Sequence, residues 1–98
     1  MVSVALFVEM KAKPGKESEV DDFLRSALPL ANAETGTTAW FALKMSTSVF
    51  GIFDAFANDK DRDAHLNGPI AQALMYKAGY LLSEPPSIQK VDVLAAKA

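Results

Sequence analysis

The stretch from Thr37 to Phe56 constrains the fold more than any other part of the chain. Two runs of apolar, aromatic and β-branched residues flank the polar break Ser46-Thr47-Ser48, a pattern typical of a β-hairpin. Both runs are apolar on both faces, whereas a half-exposed strand alternates apolar and polar residues. The helices of so small a protein cover one face of a sheet, so the second face needs another cover. The hairpin therefore predicts a homodimer.

The rest of the chain supplies two further strands and three helices. The patterns predict a strand at 2–13, a helix at 16–33, the hairpin at 37–56, a short helix at 59–66, a helix at 70–83 and a strand at 87–95. Pro29 lies inside the first helical pattern and either kinks it or ends it early. The order β-α-β-β-α-α-β predicts a ferredoxin-like α+β fold, with four antiparallel strands and the helices on one face. Residues 1–98 form one domain.

Composition excludes several classes of function. The net charge of −2 and the scattered Lys and Arg residues argue against nucleic acid and membrane as partners. The chain has no cysteine and a single histidine, so disulfides, thiolate chemistry and a His-rich metal site are not expected. No phosphate loop or nucleotide fingerprint is present, and we expect no cofactor. The start of the chain has no basic segment typical of a signal peptide, which predicts a cytoplasmic protein.

Two short runs carry a resemblance to a known family. Phe53-Asp54-Ala55-Phe56, followed by Asp63-Ala64-His65-Leu66 on the short helix, resembles the antibiotic biosynthesis monooxygenase family. The resemblance covers almost the whole chain. It implies a dimeric α+β barrel formed by the sheets of two copies. It also implies oxygenation of quinols, anthrones or similar aromatics with O₂, without metal or flavin, although other members bind and degrade haem.

The chain departs from both functional branches of that family. The haem-degrading branch has an Asn in the first strand, a Trp just after the third strand and a His on a later helix. Here the first strand has Val8-Glu9-Met10, no Trp follows Phe56, and no His follows Pro69, so haem degradation is disfavoured. Quinol-oxygenating members often carry a second His shortly after the first, where this chain has Asn67-Gly68.

His65 is the candidate catalytic residue. Oxygenation of a quinol without a cofactor requires removal of a proton, so that the electron-rich anion can pass an electron to O₂. A side chain that titrates near neutral pH is suited to that step. The alternative is a structural histidine that bonds to nearby backbone or to Asp61, four residues earlier on the same helix.

The candidate substrate-binding residues are mostly aromatic. Trp40, the only tryptophan, would stack on a planar ring and hold an oxygen with its N–H, or else anchor the core or the dimer interface. The further candidates, each with a core, turn or filler role as its alternative, are Phe41, Phe53, Asp54, Phe56, Asn67 and Met75.

Carboxylates occur in the middle of three predicted strands, at Glu9, Asp54 and Asp92. A carboxylate within an apolar sheet is costly unless it is paired or near water, so these residues either border a solvated cavity or form ion pairs. The basic residues available for such pairs are Lys44, Arg62 and Lys90, and the pair of Asp92 with Lys90 is the simplest.

These patterns favour a small cofactor-independent monooxygenase that acts with O₂ on an apolar aromatic substrate. Three alternatives stay open. The first is a non-catalytic binder of a small hydrophobic ligand, the second is an isomerase or decarboxylase on the same scaffold, and the third is a structural dimer without a pocket.

Overall fold

A computed structural model describes residues 1–98, and its elements follow the predicted order. The four strands and four helices are β1 (Val4–Lys11), α1 (Glu17–Ser26), α2 (Leu28–Ala33), β2 (Thr37–Lys44), β3 (Val49–Phe56), α3 (Asp59–Leu66), α4 (Pro69–Leu81) and β4 (Ser87–Asp92). The predicted ferredoxin-like α+β fold is confirmed. None of the helices is long and apolar enough to cross a membrane.

Two boundaries differ from the prediction. The first helical pattern is two helices, because Pro29 cannot continue α1 and instead lies in the first turn of α2, where its missing N–H costs nothing. The last strand ends at Asp92 rather than at residue 95. Its partner β1 begins at Val4, which pairs with Asp92, so little of β1 remains for later residues to pair with.

The sheet has the strand order β2-β3-β1-β4, and every neighbouring pair is antiparallel. β1 is thus central in the sheet, paired on one side with β3, the second arm of the hairpin, and on the other with β4. In this register Trp40 lies opposite Asp54, and Asp54 lies opposite Leu6, so these three side chains share one row on the helix-facing side.

The core lies between that side of the sheet and the helices. Its most deeply buried members are Leu6, Met10, Phe50 and Phe56, each at most 2% exposed. They alternate along β1 and β3, as the period of a strand requires. The polar side chains at Asp54 and His65 are buried in the same layer, which makes them exceptions that require partners.

The opposite side of the sheet is apolar and has no helix over it. Phe41, Phe53 and Phe7 occupy one row across β2, β3 and β1. Phe41 is 54% exposed, and Met45 at the hairpin end is 43% exposed. We refer to this surface, formed by Phe7, Phe41, Leu43, Met45 and Phe53, as the outer face.

Helix α3 is fixed to one end of the sheet by polar contacts. The side chain of Asn58 accepts a hydrogen bond of 2.9 Å from the backbone N–H of Asp61, which caps the helix. The buried guanidinium of Arg62 donates to the backbone carbonyls of Ala5 and Val91 at 3.3 and 3.2 Å. These contacts hold the helix that carries His65 against β1 and β4.

The predicted pairing of strand carboxylates with basic residues is wrong. Arg62 pairs with Asp59 on its own helix, and Lys90 lies 3.9 Å from Asp63 rather than pairing with Asp92. Lys90 and Asp92 both project from β4 on the side where α3 packs, so the acidic residues of that helix compete for the lysine.

Replacement of the cap tests how strongly α3 depends on it. We expect Asn58→Ala to lower the free energy of unfolding by about 1 kcal/mol, because one backbone N–H in the first turn of the helix loses its acceptor. Urea denaturation at a fixed protein concentration measures the loss. Asn58→Asp is the matched control, since it keeps an acceptor and should stay within a few tenths of a kcal/mol of the parent. An equal loss in both variants would contradict the capping role.

Candidate functional site

His65 lies between two carboxylates in the interior of the protein. It comes from the last turn of α3, and its side chain is 7% exposed. Nδ1 stands 2.5 Å from Oε1 of Glu34, and Nε2 stands 2.8 Å from Oδ2 of Asp54. The contact with Asp54 is a close charge contact that is not aligned as a hydrogen bond. Both ring nitrogens therefore face an acid, and neither is free to contact another molecule.

Asp54 reaches the histidine from the middle of β3. Its side chain is 1% exposed, and strand alternation directs it to the helix side beneath α3. Oδ2 faces Nε2 of His65, whereas Oδ1 has no hydrogen-bond donor. A buried acceptor without a donor is destabilising by about 1–3 kcal/mol. The proximity of the imidazole offsets part of this cost.

Glu34 reaches the histidine from the turn between α2 and β2. The hydroxyl of Thr37 donates to Oε1 of Glu34 at 2.6 Å, so this oxygen is held by two groups. The turn approaches α3 closely at Gly36, where a Cβ atom would stand 2.9 Å from the Asp61 carboxyl group. Only glycine permits that approach without a shift, and the approach brings Glu34 into contact with His65.

The two carboxylates change the proton affinity of the ring. Burial alone would lower the pKa of His65, but the contacts with Asp54 and Glu34 outweigh it and raise the pKa above the usual 6.5. The imidazole therefore holds its proton more firmly than a free histidine does. On the protonated ring, Nδ1–H donates to Glu34, and the positive charge lies between two negative ones.

The cluster of Glu34, Asp54 and His65 is not a metal site. The structure contains no group of three acidic or histidine side chains that could hold a metal ion. The reason is geometric, because the two carboxylates lie on opposite nitrogens of one ring and do not converge on a common point.

An apolar groove lies between β2 and the first two helices. Its volume is about 510 Å³, within the range of roughly 300–1,000 Å³ that is usual for small-molecule sites. The walls are mainly hydrophobic and include Leu24, Leu28, Trp40, Phe41, Ala42 and Phe50. Charged groups at its rim include the ion pair of Asp21 and Arg25. The groove can accept a small planar apolar molecule.

Trp40 connects the groove to the buried cluster. It lines the groove, and it stands directly opposite Asp54 on the same face of the sheet. Its indole Nε1 is buried and makes no hydrogen bond. A donor and an acceptor that both lack partners thus occupy neighbouring positions, which is unusual for buried polar groups.

The other predicted binding residues are distributed over several regions. Phe56 is fully buried with its ring centroid 5.4 Å from that of His65, and Phe41 lines the groove. Phe53 lies on the outer face instead. Asn67 donates to the backbone carbonyl of Asp63 at 2.9 Å, as expected for its alternative role in a turn. Met75 is 57% exposed on α4 and does not line the groove.

Two features of the site differ from the sequence analysis. The alternative partner of His65, Asp61, is wrong, because the ring contacts Glu34 and Asp54. Glu34 was missed, since it lies 31 residues from His65 in the sequence. The only local signal is the neighbouring Gly36, which indicates a close approach to another segment but does not identify that segment.

Comparison with solved structures places the chain among proteins of the same fold. It is 64% identical to NE2512, a protein of unknown function from Nitrosomonas europaea, with a TM-score of 0.98 over 100% of this chain and 95% of that one. Two structures carry the name "Putative antibiotic biosynthesis monooxygenase". The one from Nitrosomonas europaea is 16% identical with a TM-score of 0.85, over 98% of this chain and 94% of that one.

The second, from Caulobacter crescentus, is 15% identical with a TM-score of 0.80, over 96% of this chain and 92% of that one. Identities this low show a shared fold, and the family resemblance predicted from the sequence is supported at that level. No protein-family model matches the chain, and no curated protein sequence matches it.

The raised pKa of His65 is directly measurable, because the protein has one histidine. We expect the imidazole proton resonance in NMR to titrate with a midpoint above 6.5, and Glu34→Gln to lower that midpoint. Asp63→Asn, at a side chain that is 60% exposed on the same helix, should leave it unchanged.

The same shift fixes the sign of a pH effect on stability. The stabilisation is fully present below about 6.5 and is lost as the pH rises through the folded pKa. Urea denaturation on either side of the NMR midpoint measures it. A midpoint at or below 6.5 would contradict the ion contacts.

Proposed function

We propose that this chain, which belongs to the same family as NE2512, is a cofactor-independent monooxygenase that oxygenates a small electron-rich aromatic substrate with O₂. The substrate class is a quinol or an anthrone. The observation that carries the proposal is the apolar groove beside a buried cluster of two carboxylates and one imidazole. The fold shared with proteins that carry monooxygenase names supports it.

The groove is suited to the substrate and the cluster to its activation. Trp40 provides the face of its indole on the helix side for stacking on a planar ring, and Phe41 borders the groove from the other side of β2. The cluster provides buried carboxylate oxygens that lack hydrogen bonds and attract a hydroxyl proton. The protonated ring of His65 supplies a positive charge between the two carboxylates.

The reaction itself draws its electrons from the substrate. Removal of a proton from a phenolic or enolic hydroxyl group leaves an anion that can transfer an electron to O₂. In an anthrone, the methylene carbon becomes a carbonyl carbon, and the second oxygen atom leaves as water. The chain would contribute binding, orientation and proton transfer, and no nucleotide or phosphate motif in its sequence calls for a further group.

A non-catalytic binder is the second candidate. It is favoured by one observation, the burial of Asp54 at 1% exposure, which closes the cluster to a ligand in the groove as the side chains stand. A binder needs only the groove. An isomerase or decarboxylase would use the groove and the cluster but would need no O₂.

The active form in this proposal is a cytoplasmic homodimer. The outer face carries a row of three phenylalanines with no helix over it. Contiguous exposed apolar surface of this kind marks interaction sites in soluble proteins. Two copies that pack through their outer faces would cover this surface, and each would keep its groove on the helix side.

Oxygen consumption tests the enzymatic proposal. We expect the purified protein to consume O₂ with members of a quinol and anthrone panel. His65→Gln should lower the rate about 10²–10⁴-fold, the usual contribution of a positioned acid–base system. Lys60→Ala, at an exposed position on the same helix, is the control and should keep the parental rate.

Repeating the assay under argon, without O₂, separates the alternatives. Turnover that continues under argon would identify an isomerase or decarboxylase. Quenching of Trp40 fluorescence by the panel without any turnover would identify a binder. Equal rates for His65→Gln and the parent would contradict the role of the cluster, provided that circular dichroism shows both to be folded.

Sedimentation tests the dimer. We expect a homodimer at micromolar concentration, and Phe53→Glu on the outer face should raise its dissociation constant at least about 30-fold, as for loss of a central aromatic contact. Tyr76→Glu is the control, because Tyr76 is 88% exposed on α4, away from the sheet. A monomeric parent, or an equal effect of both variants, would contradict the outer face as the interface.

A further inference from the structure

We infer that Asp54, rather than His65, accepts the proton of the substrate hydroxyl, and that the indole N–H of Trp40 donates to the oxygen left behind. This assignment rests on the proposed function, because it gives the atoms that perform its proton-transfer step. The substrate therefore binds as a neutral aromatic ring that still carries its hydroxyl proton, because this is the proton that Asp54 accepts.

The contacts of His65 remove it from direct acid–base contact with a ligand. Each of its ring nitrogens lies within 2.8 Å of a carboxylate oxygen, so neither can form a hydrogen bond with a ligand. A group that takes a substrate proton must come within hydrogen-bond distance of it. The acceptors of the cluster that lack a hydrogen bond are Oε2 of Glu34 and Oδ1 of Asp54, and of the two residues Asp54 is the one directly opposite Trp40 in the sheet.

Asp54 and Trp40 have complementary polar atoms without partners. Oδ2 of Asp54 faces His65, but Oδ1 accepts no hydrogen bond, and Nε1 of Trp40 donates none. The two residues are direct partners across β2 and β3, and the Cβ atoms of such pairs lie about 4.5–5.5 Å apart. A hydroxyl group is both donor and acceptor, so one hydroxyl satisfies both residues at once.

Access to Asp54 depends on the indole. Trp40 is partly exposed, lines the groove and belongs to β2, one of the two edge strands of the sheet. No hydrogen bond holds its Nε1 in place. Asp54 is 1% exposed, so the inference requires the indole to turn toward the groove, which would open Asp54 to the ligand while the indole stacks on the ligand ring.

The proton transfer conserves charge within the site. The ligand O–H bond breaks, its electron pair stays on the ligand oxygen, and the proton forms a new O–H bond on Asp54. The Asp54 carboxylate becomes neutral while the ligand becomes an anion, so the total charge is unchanged. His65 and Glu34 act as positioning residues, because His65 contacts Oδ2 of Asp54, Glu34 holds the ring from its other nitrogen, and neither touches the ligand.

A chromophoric phenol separates binding from proton transfer. We use 4-nitrophenol in a buffer below its own pKa, where the free probe is mostly neutral and only the ionised form is yellow. With the parent protein we expect Trp40 fluorescence to be quenched and the bound probe to absorb as nitrophenolate. With Asp54→Asn we expect quenching to persist while the ionised fraction of bound probe falls at least about 10-fold, and O₂ uptake to fall about 10²–10⁴-fold.

Two further variants complete the test. Asp63→Asn makes the same chemical change at an exposed carboxylate on α3 and should behave as the parent. Trp40→Phe keeps the ring but removes the N–H, so the ionised fraction should fall with Asp54 intact, as followed by absorbance alone. Trp40→Phe also tests the inference if Asp54→Asn does not fold.

The outcomes distinguish this inference from the proposed function. Equal nitrophenolate in the parent and in Asp54→Asn would overturn the inference and leave an oxygenase unaffected. An unchanged ionised fraction in Trp40→Phe would overturn the role of the indole. Ionisation of bound probe without O₂ uptake from any quinol would overturn the proposed function and support the inference. A probe that does not bind the parent, together with O₂ uptake from a quinol, would overturn the inference and leave the proposed function standing.

Discussion

The buried contact between His65 and its two acids is the interaction on which the rest of the site depends. It joins the turn after α2, the middle of β3 and the last turn of α3, which are distant in sequence. Loss of one member of a buried ion pair leaves an uncompensated charge and costs about 3–5 kcal/mol. The same contact therefore stabilises the packing of α3 and holds the polar groups whose chemistry we propose.

The contact also explains why an apolar layer contains charge at all. Asp54 lies in a row with Trp40 and Leu6, where a hydrophobic residue would pack without any desolvation cost. The imidazolium, 2.8 Å from Oδ2, offsets part of the cost of burying that carboxylate, but Oδ1 has no hydrogen-bond partner. Incompletely satisfied polar groups in a core are typical of functional sites rather than of packing. The neighbouring groove gives those groups a route to a ligand.

The two faces of the sheet have different roles in the molecule. The helix side holds the core, the cluster and the groove, whereas the outer face holds a row of phenylalanines without a cover. Groove and outer face meet at β2, where Trp40 and Phe41 are neighbours on opposite sides and both border the groove. Association through the outer face would therefore influence the mobility of the edge strand that carries the indole.

The amino-acid sequence by itself determined the order of elements, the ends of α3 and the hairpin, and the two apolar faces, because these follow from local periodicity, capping and turn residues. It also identified His65 and Asp54 as candidates. It did not determine the partners of the ring, since Glu34 meets His65 only after α2 ends and Gly36 lets the turn approach α3. Contacts between distant segments depend on how the elements pack, and only the tertiary structure decided that His65 has no free nitrogen.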